Sequence, residues 1–173
     1  MSDTIPNQPN NPSSKNSNNQ SQSHLPILER QYPDIVGTVM AFDFGEKRIG
    51  VAVGETMLKA AHPVSTIEAE TNDIKFAKIA DIIKEWRPSL LVVGLPTYMD
   101  GNEHTLTHLA KKFAQRLEGR FYLPVTMIDE RLTSVEAAQN LQAAGIKGHK
   151  QKNLLDAVAA QGILQSYFDQ LPL

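Results

Sequence analysis

A six-residue apolar run, Leu90–Leu95 (Leu-Leu-Val-Val-Gly-Leu), is framed on both sides by helical periodicity. Its brevity and lack of polar alternation are those of a strand buried on both faces, as in a parallel sheet. Upstream, Ile79, Ile82, Ile83 and Trp86 fall at helical spacing, and Pro88 stops that helix. Downstream, Leu106, Leu109, Ala110, Phe113 and Leu117 form the core stripe of a second helix, and Phe121–Ile128 supplies another strand. Strands alternating with helices in this way demand a central, partly parallel sheet covered by helices.

The first half is different. Val36–Phe44 and Arg48–Val53 read as a hairpin, and Ala60–Ile67 as a third strand weakened by Pro63. Thr133 with Glu136 makes a capping box for a third helix ended by Gly145, and a final helix runs from about Asn153 to Phe168. The expected class is α/β, a mixed five-stranded sheet flanked by helices. Residues 25–173 form one domain. Residues 1–24 hold six Asn, six Ser, three Gln and three Pro with almost nothing apolar, and are expected to be a disordered tail.

Composition narrows the chemistry. The chain has no cysteine, which excludes disulfides and thiolate zinc sites and fits a reducing cytoplasm. No apolar run approaches the roughly 18 residues of a membrane span, and the N-terminus lacks an apolar export region. The net charge of -2 decides nothing, because nucleic-acid enzymes need only a local basic patch.

Functional residues of such sheets collect at the carboxyl ends of neighbouring strands. Asp43 ends the first strand, Asp129 and Glu130 end the last, and Asp156 lies near the start of the final helix. Converging carboxylates repel unless a cation sits among them, and hard divalent ions such as Mg²⁺ or Mn²⁺ are the natural answer. Two such ions about 4 Å apart would suit phosphodiester cleavage. Each acid also has a plain structural role. Asp43 could form the turn before Gly45. One of Asp129 and Glu130 must face away, since neighbouring strand residues point to opposite faces. Asp156 could be a first-turn acid in a helix capped by Asn153.

Phosphate contacts are expected from Lys47 and Arg48 after the first turn, from Arg131, and from Lys147 and Lys150 in the basic loop Gly145–Lys152. The loop Gly94–Gly101 leads from a strand to a helix N-terminus, where N–H groups favour anions. His104 and His108 have the four-residue spacing of zinc ligands but lack the metalloprotease Glu and a third ligand. Ser65, Ser89 and Ser134 have no nucleophile-elbow motif.

Four motifs together resemble one family: Asp43-Phe44-Gly45 with Lys47-Arg48-Ile49-Gly50-Val51-Ala52; Val93-Gly94-Leu95-Pro96 with Met99-Asp100-Gly101; Asp129-Glu130-Arg131-Leu132-Thr133-Ser134; and Asp156–Leu164. From Gly37 to Phe168 the chain is similar to the YqgF (RuvX) family. That resemblance implies a ribonuclease H-like fold related to the RuvC-type junction resolvases. It implies a metal-dependent nuclease maturing the 5′ end of precursor 16S ribosomal RNA in ribosome biogenesis, or a Holliday junction resolvase acting on branched DNA. Asp43, Glu130 and Asp156 match the family's metal-binding acids, with Asp129 a fourth candidate. In place of a second glycine after Met99-Asp100-Gly101 the chain reads Asn102-Glu103-His104, which bears on the loop and not on the acids.

A non-catalytic RNA-binding assembly factor of the ribosomal precursor particle is an alternative of another class. An actin- or sugar-kinase-like ATPase is a further one, but it would need two such domains. Either a monomer or a homodimer fits, and two sites for two strands would favour the dimer.

Overall fold

The computed structural model describes residues 24–96, 105–129 and 149–172, with the side chains of 149–152 excepted. Three antiparallel strands come first: β1 (Thr38–Phe44), β2 (Arg48–Glu55) and β3 (Ala60–Glu68). Helix α1 (Asn72–Trp86) leads to β4 (Leu90–Leu95), helix α2 (Thr105–Phe121) leads to β5 (Val125–Asp129), and α3 spans His149–Gln170. The sheet order is β3-β2-β1-β4-β5, with β4 and β5 parallel to β1. This is the mixed five-stranded α/β sheet expected of a ribonuclease H-like fold.

Strand alternation divides the core into two layers. Met40, Phe42 and Phe44 of β1 face α1 and α2, joining Phe76, Ile79, Phe113 and Leu117. Phe113 is the centre of that layer, with ring centroids 5.8 Å from Phe42, 4.9 Å from Phe44 and 6.0 Å from Phe76. Val39 and Ala41 face the other way, toward Ala160, Ile163, Leu164 and Phe168 of α3. The run Leu90–Val93 is fully buried because its residues enter both layers alternately.

Several boundaries differ from expectation for local reasons. The last strand begins at Val125 and not at Phe121, because Phe121 closes α2 and Tyr122 turns the chain with φ 54°. Helix α1 ends at Trp86, two residues before Pro88, and Arg87 between them takes a left-handed conformation and donates its N–H to Ile83 O at 2.8 Å. Pro63 does not abolish β3, because β3 is an edge strand and its register shifts beside the proline. Glutamines of α3 bond the main chain of that edge: Gln161 donates to Ala61 O at 2.9 Å, and Gln165 accepts from Ala61 N at 3.3 Å. The final helix begins at His149, four residues earlier than expected. Asn153 is therefore not its cap, Asp156 is not a first-turn acid, and residues 149–152 are helical, not loop. The expected third helix from Thr133 to Gly145 and the N-terminal tail lie outside the described residues, save for His24.

Candidate nuclease site

Asp43 is held by its register. It follows Val39 and Ala41 in the alternation that faces α3, and it pairs with Gly50 of β2. Gly50, Ala52 and Gly54 present small residues to α3 along that face. A Cβ placed on Gly50 would lie 1.8 Å from the carbonyl oxygen of Asp156, and one on Gly54 would lie 2.6 Å from the Phe168 ring. Helix α3 therefore rests directly on the β2 backbone, and its closest approach falls at Asp156. Two acids 113 positions apart in the chain come to neighbouring places through one glycine. Gly45 closes the turn beside them, where a side chain would meet Arg48 O at 2.6 Å.

Arg48 connects the parts. Its Nε donates to Oδ2 of Asp156 at 2.8 Å, its Nη2 forms an ion pair with the same oxygen at 2.7 Å, and Nη2 donates to Oδ1 of Asn153 at 3.2 Å. Glu68 of β3 lies 3.8 Å from Nε. The hydroxyl of Thr66 donates to Asn153 O and ties β3 to the same turn of α3. A guanidinium gripping one carboxylate oxygen fixes the orientation of that side chain and leaves Oδ1 for another partner. Arg48 thus holds the Asp156 side chain in place.

The remaining candidates separate. Asp129 pairs with Leu95, and both share the parity of Met127 and Val93, which face α1 and α2. The structure therefore brings Asp43 and Asp156 together and sets Asp129 in the opposite alternation. The following residue, Glu130, lies outside the described residues, as do Arg131 and Lys147. Lys150 lies in the first turn of α3, and Lys47 is exposed at the β1–β2 turn. His108 is on α2, and His104 lies outside the described residues.

The donor set suits a hard divalent cation: carboxylate oxygens at the sheet rim, in a chain without cysteine. Among the described residues, no three acids or histidines gather as a ligand set. Asp43 and Asp156 supply two carboxylates.

The sequence did not single out Gly50 as a seat for α3, although a glycine facing a helix across a strand is the available signal. It also missed Lys75, which extends the α1 stripe backward from Ile79 by four residues and is 7% exposed.

The fold is a mixed five-stranded α/β sheet covered by helices, with Asp43 and Asp156 brought near one another by Gly50. Residues 37–170 match the RuvX family, described as "Holliday junction resolvase", and the chain belongs to that family. A Methylobacillus flagellatus protein named "Putative pre-16S rRNA nuclease" is 64% identical over 135 residues, covering 78% of this chain and 92% of that one. A Chromobacterium violaceum protein of the same name is 58% identical over 132 residues, covering 76% and 96%. Among solved structures, Thermus thermophilus RuvC with a Holliday junction substrate is similar at 14% identity and a TM-score of 0.47, covering 76% of this chain and 93% of that one.

Proposed function

We propose that this chain is a metal-dependent nuclease that cuts structured RNA, with the 5′ region of precursor 16S ribosomal RNA in the ribosomal precursor particle as its substrate. The observation that carries this reading is the meeting of Asp43 and Asp156 across the Gly50 seat, in a family member 64% identical to a relative with that name. Asp43, Asp156 and Glu130 would hold Mg²⁺ or Mn²⁺. A bound divalent ion supplies an activated water and charge stabilisation at phosphorus.

The chain's own residues do the rest. Arg48 holds Asp156 through Oδ2 and keeps it from swinging toward solvent. Asp43, fixed on a strand, cannot follow a mobile substrate and so defines the cutting point. Lys47 projects from the adjacent turn where a phosphate would approach. Cytoplasmic location accords with a ribosome-maturation role. No helix among the described residues is long and apolar enough to cross a membrane.

The family description favours one second reading, a junction resolvase using the same acids on branched DNA. End-labelled precursor 16S RNA and a four-way DNA junction should be incubated with Mg²⁺ or Mn²⁺ and with wild type, Asp43→Asn or Asp156→Asn. RNA cutting lost in both variants is the expected result. Cutting of the junction alone would transfer the enzyme to recombination. Equal binding with no cutting by any form would leave an RNA-binding assembly factor.

A further inference from the structure

On the face of the sheet opposite Asp43, a cleft of about 210 Å³ opens between α1 and α2. Its floor is Phe44, Phe76 and Phe113, and its walls carry Lys75, Lys112 and Arg116. Phe44 directly follows Asp43, so the mouth of the cleft and the acids sit on the two sides of one strand end. The turn Gly45–Lys47 lies between them.

The charges in this cleft are poorly arranged for stability. Lys75 is almost wholly buried; its ammonium donates to Glu46 O at 3.0 Å and lies 5.5 Å from the Phe44 ring centroid. Burial pushes its pKa below the usual lysine range, the nearby Arg116 pushes it further, and Glu46 opposes both. Lys112 and Arg116 stand four apart on α2, where like charges repel, and neither has an ion pair among the described residues. One turn further, Arg120 lies 4.2 Å above the Phe76 ring. Among the described residues that line the cleft, three cations face the single carboxylate of Glu46, which leaves an excess of positive charge in a partly desolvated cleft. An anion relieves it. The four-residue step along α2 is about 6 Å, which suits successive phosphates of one strand.

We infer that the α1/α2 cleft is a phosphate-binding subsite, in which Lys112 and Arg116 grip the backbone of the nucleic-acid strand that passes over the β1–β2 turn to the acids, with the buried charge of Lys75 behind them. This rests on the nuclease reading and adds a second contact surface to it. Phosphate is recognised there, not sugar, so RNA and DNA strands are held alike.

Lys112 and Arg116 are exposed and repel each other, so the double variant Lys112→Gln/Arg116→Gln should fold with a melting temperature no lower than that of wild type. Its binding to a labelled RNA hairpin and a four-way DNA junction is to be followed against salt, with EDTA present to prevent cutting. The matched control is Lys59→Gln/Lys84→Gln, which removes the same charge at the β2–β3 turn and the far end of α1. The cleft variant should lose about 1.4–1.8 from the slope of log K against log salt for both probes, two phosphates' worth, while the control keeps the slope. In RNA cleavage it should raise KM at least tenfold with kcat unchanged, as expected when binding is lost equally in ground and transition states. If wild type binds and the cleft variant keeps its slope, or the control loses as much, the subsite is refuted and the nuclease reading stands. If wild type binds neither probe, the nuclease reading itself falls and the subsite with it.

Discussion

Replacing Gly50 with alanine adds one methyl group at the place where α3 rests on the sheet. That methyl carbon would lie 1.8 Å from Asp156 O, 2.3 Å from Asp156 C and 3.0 Å from Ala157 N. All three are helix backbone atoms, so no side-chain rotation relieves the clash. Ordinary contact begins at 3.4 Å, so the helix must withdraw by about 1.6 Å at this point. Overpacking in a core costs about 1–3 kcal/mol when side chains can adjust. Here they cannot, and the withdrawal also loosens Ala160, Ile163 and Leu164 on the same helix, so the loss should reach about 3 kcal/mol or more. The same movement carries Asp156 away from Asp43. Misplacing a reacting group by about 1 Å can cost about 100-fold in rate, so cleavage should fall by that order even where the variant is fully folded. Urea denaturation measures the first effect, and RNA cleavage well below the unfolding midpoint measures the second. Gly119→Ala on α2 is the counterpart, since its added methyl meets nothing within 4 Å, and it should stabilise by about 0.5–1 kcal/mol. A Gly50→Ala protein with wild-type midpoint and wild-type cleavage would refute the seating of α3 on β2 and the convergence of acids built on it.

Arg48→Gln should change stability by about 1 kcal/mol or less, since the pair with Asp156 is about a quarter exposed, yet reduce metal affinity about 10–100-fold. A Mg²⁺ titration of cleavage, run as a cycle with Asp156→Asn, should give non-additive losses, and additive ones would remove Arg48's positioning role. Burial pushes Tyr167 up to about 12, and burial also raises Tyr32. The folded value lies above the unfolded one, so this stability is complete below about pH 10 and is lost as pH rises through about 12. The loss is roughly 2–3 kcal/mol for Tyr167. Urea midpoints measured across that window should fall less steeply in Tyr167→Phe, and an unchanged slope would show that Tyr167 is not held protonated by the fold.

Much of the fold was readable because local patterns and tertiary burial agree. Leu90–Leu95 is a strand in sequence and in structure, with the same ends. The misreadings fall where two local signals compete. Phe121 is a good strand residue, yet it completes the apolar stripe of α2. Asn153 is a good cap, yet α3 runs through it, and its side chain accepts from Arg48 instead. The site was legible only as a set of acids at strand ends. Alternation predicts that Asp129 and Glu130 face opposite ways, but which one shares a face with Asp43 depends on strand register. The pairing Leu95↔Asp129 decides it for Asp129.

From the sequence alone came the kinds of element, their order, the family motifs and the candidate acids, because periodicity and turn chemistry act over a few residues. The tertiary structure alone decided the neighbours. Asp156 meets Arg48 and Gly50 across more than a hundred residues, and Lys75 lies in a cleft with Arg116 from another helix. Such contacts depend on how closely two backbones approach. That distance is set by the summed packing of a whole interface, here by Gly50, Ala52 and Gly54 together, and no short stretch of chain encodes it.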